Sequence, residues 1–76
     1  MVVRLAPRVV VHPAVRFGKP VIERTRVPVE VLLGRLASGM TVEAVADEYA
    51  IAPDDVRAAL RYAALVIASE EIRGVA

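Results

Sequence analysis

Apolar positions follow two different rhythms along this chain, and a polar, proline-broken segment separates them. Before residue 28 they come as short β-branched runs, Val9-Val10-Val11 and Val21-Ile22, with Pro13, Gly18 and Pro20 between. Such runs, bounded by turn residues, predict two short strands around a loop. Pro20 has no N–H to donate and Pro28 stops a ladder, so these strands stay short or lie at an edge. They can pair with each other or with the same strands of a second copy.

From Pro28 onward the spacing becomes helical. Proline suits a first turn, where its missing N–H costs nothing. Val29, Leu32, Leu33, Leu36, Ala37 and Met40 then fall on one helix face. Ser38-Gly39 closes this helix, since Gly39 can take the left-handed conformation of a C-terminal cap. Gly34 in its interior costs about 1 kcal/mol against alanine. It serves either a close helix crossing or nothing beyond tolerance.

Thr41 is a good N-cap, and Glu43 lies in a first turn where the helix dipole favours negative charge. Val42, Val45, Ala46 and Tyr49 form the stripe of a second, two-turn helix, and residues 50–52 break it. Pro53 opens a third helix, with Asp54 and Asp55 in its first turn. Its expected core stripe is Val56, Ala59, Leu60, Ala63 and Ile67, and Ala58, Tyr62, Leu65 and Val66 make a second apolar stripe beside it. A helix apolar on two sides is buried on two sides, which implies a partner. Signals weaken from Glu70 to Ala76, where fraying is expected.

The three-residue link between the second and third helices suits a helix-turn-helix. The expected fold class is therefore mainly α, a homeodomain-like three-helix helix-turn-helix with a short N-terminal β element. Residues 1–28 form a basic arm with short β-strands and residues 29–76 the helical bundle, within a single domain overall.

Seventy-six residues suffice for one domain. A chain this short buries only about 60% of its unfolded surface. Yet 57% of its residues are hydrophobic, more than a lone small domain can hide, so a homodimer or an obligate complex is expected. No cysteine is present, which excludes disulfides and cysteine-based zinc sites. The apolar run at the N-terminus is broken by Arg4, unlike a signal-peptide core, and no stretch approaches the ~20 apolar residues of a membrane span. The expected location is cytoplasmic, with no membrane partner.

The net charge of +1 hides an asymmetry. Residues 1–28 hold six basic side chains against Glu23 alone, and residues 29–76 hold four against eight carboxylates. A basic arm on an acidic body suggests that the two parts meet different partners, or that the arm of one subunit meets the body of another.

Catalytic residues, a metal and a cofactor are all expected to be absent. His12 is the sole histidine and precedes Pro13, as a loop residue satisfied by backbone contacts. Ser38 and Ser69 have no evident base. Asp54 and Asp55 are adjacent, so on a helix they point about 100° apart. Gly18-Lys19 lacks the glycine spacing of a phosphate loop.

Binding chemistry is better represented. Arg57 and Arg61, four apart on the third helix, share a face that could reach phosphates or guanine edges if that helix enters a major groove. Asp54 and Asp55 at its entry oppose that. If residues 22–27 are extended, Arg24 and Arg26 point to one side. Arg4, Arg8, Arg16 and Lys19 could add salt-sensitive phosphate contacts. The arm could equally grip an acidic protein surface, and composition alone does not separate the two.

The run His12-Pro13…Gly18-Lys19-Pro20-Val21-Ile22…Thr25-Arg26-Val27-Pro28-Val29 continues into Leu32, Gly39, Thr41-Val42-Glu43 and Asp54-Asp55-Val56…Ala59-Leu60…Tyr62-Ala63. This pattern, over roughly residues 9–65, resembles the small prokaryotic family known as domain of unknown function 433. The resemblance implies an antitoxin of a type II toxin–antitoxin pair, homodimeric, that neutralises a PIN-like nuclease toxin and binds its own operator DNA. It also implies a homeodomain-like helix-turn-helix with a short β element. The rival readings are a stand-alone DNA-binding repressor and a dimerisation module that binds no DNA. The chain departs from the family pattern at Phe17 and Arg24, where glycine is usual, and a side chain at each puts the local backbone in question. Lys19, Arg24, Thr25 and Arg26 are the expected binding residues, with Arg57 and Arg61 as secondary DNA candidates.

Overall fold

A computed structural model describes residues 1–70. The elements, in order, are β1 (Val3–Ala6), β2 (Val9–Val11), a single left-handed turn (Arg16–Gly18), β3 (Pro20–Ile22), α1 (Val29–Ala37), α2 (Val42–Tyr49) and α3 (Pro53–Ser69). Three helices thus pack with a three-stranded antiparallel sheet ordered β1-β2-β3.

The two strands expected from the sequence pair within the chain, Val9 opposite Ile22 and Val11 opposite Pro20. Pro20 opens the outer strand β3, where its missing donor matters least. Pro28 does not fully end the pairing, because it forms an isolated bridge to Val21. Strand β1 adds a pairing that the apolar rhythm alone did not signal. Pro7-Arg8 turns the chain between β1 and β2, with Arg8 at φ +66°. The condition of extended backbone over residues 22–27, under which Arg24 and Arg26 would point to one side, is not met. Thr25 N–H donates to the Ile22 carbonyl at 3.0 Å and Arg24 lies at φ +67°, so a β-turn stands there.

Each helix end follows from its local sequence. Gly39 (φ +106°) ends α1, with its N–H on the Leu36 carbonyl and the Met40 N–H on that of Arg35. That is the paired closure expected of a glycine cap. The Thr41 hydroxyl accepts from the Ala44 N–H at 3.0 Å and starts α2. Ala50 ends α2 at φ +55°, with the Ile51 N–H on the Ala46 carbonyl. Alanine takes the place of glycine there at a cost of about 1–2 kcal/mol. The Asp55 carboxylate accepts the Ala52 N–H at 3.0 Å and starts α3. An ideal Cβ on Gly34 would meet nothing within 4 Å, so no close helix crossing uses that glycine.

The main core joins Val9 and Ile22 of the sheet to Val29 and Leu32 of α1, Val45 and Ala46 of α2, and Val56, Ala58 and Ala59 of α3. Leu33, Leu36, Met40, Val42, Tyr49 and Tyr62 pack around it, half-buried. Two expected assignments are corrected. Ala37 is exposed rather than on the buried face of α1. Leu60 and Ile67 are 42% and 60% exposed, outside the core of α3, whereas Ala58 lies inside it. The inward face of α3 is centred nearer Ala59 and Tyr62, and the helix runs past the elements that could cover its last turns. The expected fraying from Glu70 concerns, apart from that residue, positions outside those described.

Candidate functional site

Two surfaces stand out. The first is an apolar groove of about 430 Å³ between α1 and the second half of α3, lined by Val29, Leu33, Tyr62, Ala63, Val66 and Ile67. Lys19 and Glu30 close one side, with Lys19 Nζ 2.6 Å from Glu30 Oε1. The chain creates this groove by extending α3 beyond its own core. Leu65, Val66 and Ile67 are 55%, 39% and 60% exposed, on a helix that is apolar nearly all round from Tyr62 to Ala68. Helices of that composition are buried in finished assemblies.

Beyond the Lys19–Glu30 pair the surface continues into a shallow recess formed by Arg16, Phe17, Pro28 and Val31. Phe17 is fully exposed. Its backbone lies at φ +56°, flanked by Arg16 at +53° and Gly18 at +78°. The turn is held by the Gly18 N–H on the Val15 carbonyl and the Lys19 N–H on the Arg16 carbonyl.

The second surface is a polar cleft where the β-strand turns meet the α2–α3 link. Arg8, Glu23, Arg24 and Thr25 face Ala50, Ile51, Ala52 and Asp55 across it. Arg8 Nη1 is 3.1 Å from Asp55 Oδ1, which ties the first hairpin to the start of α3.

Of the six expected binding residues, only Lys19, Arg24 and Thr25 line these surfaces. Lys19 borders the groove but is paired with Glu30. Thr25 is structural: its hydroxyl donates to the Ile22 carbonyl at 2.8 Å and accepts from the Val27 N–H at 3.0 Å. That fixes the turn at whose third position Arg24 stands. Arg24 projects over the polar cleft, exposed. Arg26 offers its carbonyl to Arg16 Nε at 3.4 Å, which brings Arg16 and Arg26 together. Arg57 is held between Asp54 (2.9 Å) and Glu43 (3.5 Å). Arg61 is exposed on α3 and has no ion pair among the described residues.

The charge asymmetry resolves in part within one chain, since Arg8–Asp55 and Lys19–Glu30 both join the basic arm to the acidic body. Arg4 is paired with Glu23 at 2.6 Å. These pairs are all substantially exposed, so each contributes little to stability. Their consequence is a smaller set of uncommitted cations. Arg16, Arg24, Arg26 and Arg61 make no ion pair among the described residues. Arg35 donates to the Tyr49 hydroxyl at 2.9 Å and neighbours Glu48. The hydroxyl first, and then Glu48, raise its pKa above the ordinary arginine value, so it remains a cation.

The sequence did not locate the groove, and it marked Phe17 as a departure from the family pattern rather than as a binding residue. The apolar excess and the two-sided third helix signalled unburied surface without locating it. Phe17 carried a signal of its own, a bulky side chain at a position where glycine is usual.

Residues 9–63 match the family model described as "Protein of unknown function (DUF433)". A 52-residue stretch is 44% identical to the "Putative antitoxin VapB45" of Mycobacterium tuberculosis, covering 68% of this chain and 22% of that protein. The fold is also similar to the X-ray crystal structure of Rv2018 from Mycobacterium tuberculosis, with a TM-score of 0.63 and 44% identity over 68% of this chain and 24% of the other. The chain thus spans about a quarter of the length of these relatives.

Proposed function

Because this chain belongs to the DUF433 family, we propose that it is an antitoxin-like regulator that binds and neutralises a toxin protein. The observation that carries this reading is the unburied second half of α3 and the apolar groove beside it, a surface suited to a protein partner. The 44% identity to a protein named as an antitoxin supports it. The proposed toxin is a PIN-like nuclease. Catalysis belongs to that partner and not to this chain, which acts without a cofactor in the cytoplasm.

The finer parts of the proposal rest on separate observations. A homeodomain-like helix-turn-helix is supported by the three-residue link between α2 and α3. A homodimer through the arm and the outer stripe of α3 is supported by Leu65 of that stripe, which stands exposed outside the groove. Arg24 and Arg26 are proposed as protein-facing residues, with Lys19 at the rim of the groove and Thr25 holding their turn. Operator binding would rest on Arg61 more than Arg57, which is engaged by two carboxylates.

The test is co-expression of this chain with the product of the gene adjacent to its own. The expected outcome is a stoichiometric complex in which ribonuclease activity of the partner is suppressed. Salt-sensitive binding to promoter DNA with no protein complex would favour a stand-alone repressor. Self-association alone would favour a dimerisation module.

A further inference from the structure

Phe17 bears two costs that the isolated chain does not offset. Left-handed backbone is unfavourable for a bulky side chain by about 1–2 kcal/mol, and Phe17 stands at φ +56° and ψ +35°. Its ring is fully exposed. Aromatic side chains stabilise proteins and complexes through the large area they bury, and this one buries none. Glycine would relieve the backbone here and expose less apolar surface. Strain of this kind is retained where a function requires it.

The surroundings define what the ring meets. Arg16 adjoins it in the same recess, with its Nε on the Arg26 backbone carbonyl, and it has no carboxylate partner among the described residues. The recess beside Phe17 shares Lys19 and Glu30 with the apolar groove, so the ring stands at one end of a continuous surface. A polyanion fits this surface poorly, because its larger part is an apolar groove and Lys19, at its middle, is already paired with Glu30.

We propose that Phe17 is the anchor residue of the partner interface, inserting into an apolar pocket of a protein whose rim carries a carboxylate for Arg16. This deepens the toxin-binding reading and rests on it. A few side chains, aromatic residues and arginine prominent among them, carry most of the binding energy at protein interfaces once a partner pocket desolvates them.

The test compares wild type with Phe17→Gly and Phe17→Trp, using the purified product of the adjacent gene as the probe. Phe17→Gly relieves the turn, so the free chain melts about 4 °C higher, while its affinity for the probe falls at least about 30-fold. Phe17→Trp keeps an aromatic anchor and stays within a few-fold of wild type. Unchanged affinity in Phe17→Gly overturns the anchor and leaves the toxin reading intact. A wild-type chain that does not bind the probe overturns both. A lower melting temperature for free Phe17→Gly also overturns the anchor, because the ring would then be supporting its own fold. Binding of Phe17→Gly lost for duplex DNA and kept for the protein probe would place Phe17 on a nucleic-acid surface instead, against the proposal.

Discussion

The two halves of α3 meet opposite fates, and the more apolar half is the less buried one. In the first half Val56, Ala58 and Ala59 are buried against the sheet and the other two helices. In the second half Leu65, Val66 and Ile67, all larger than alanine, stand in the open. Helical periodicity assigns each residue to a face, but burial requires something opposite that face. α3 meets β1, β2, α1 and α2, and its buried residues all lie in the first half, whereas α1 and the Lys19–Pro20 segment line the open groove beside the second half. One half stabilises the fold, and the other is available for recognition.

This contrast breaks most visibly at Val56, which has no exposure. Val56→Ala should destabilise the chain by about 2–3 kcal/mol, from lost burial plus a residual cavity, read as a lower midpoint in urea unfolding. An unchanged midpoint would mean that the first half is no better packed than the second. Next comes Ile67→Asp in the exposed half. The free chain should keep its stability to within about 0.5 kcal/mol, as surface substitutions do. Binding to the adjacent gene product should weaken by about 2 kcal/mol or more if Ile67 lies in the interface, measurable by titration calorimetry. Full affinity would remove the groove from the interface. The smallest effect is expected at Gly34, which faces open space. Gly34→Ala should stabilise the free chain by about 1 kcal/mol through helix propensity alone, checked by the same unfolding curve. Stabilisation accompanied by lost binding would show that a partner approaches α1 at that point.

Much of the fold was legible because its signals are local. Pro28, Gly39, Thr41 and Pro53 mark helix boundaries through backbone chemistry that acts within a few residues, and all three helices begin where these residues place them. Strands β2 and β3 were legible as β-branched runs. Strand β1 was not, because its burial pattern is exposed until Ala6 and no alternation marks it. The turn at Arg24 was signalled only by the glycine usual at that position, for a related reason. Arginine has no preference for positive φ, and Thr25 imposes the turn through hydrogen bonds that composition does not reveal.

The candidate site was less legible than the fold. Lys19, Arg24, Thr25, Arg26, Arg57 and Arg61 were grouped by charge and motif. In three dimensions Lys19 borders the groove, Arg24 and Thr25 line the polar cleft, Arg57 and Arg61 stand on α3, and Arg26 lies on none of these. Arg57 and Lys19 are already engaged by carboxylates distant or near in sequence, and Thr25 holds a turn. Phe17 and Arg16 emerge only once the left-handed turn turns them outward beside Arg26.

The amino-acid sequence by itself determined the helix boundaries, the apolar excess and the family, because capping, periodicity and motif are written in neighbouring residues. Only the tertiary structure decided which apolar residues remain uncovered and which cations remain unpaired. Burial and ion pairing depend on what faces a side chain across space, and for Ile67, Arg8 and Phe17 that partner, or its absence, lies far away along the chain.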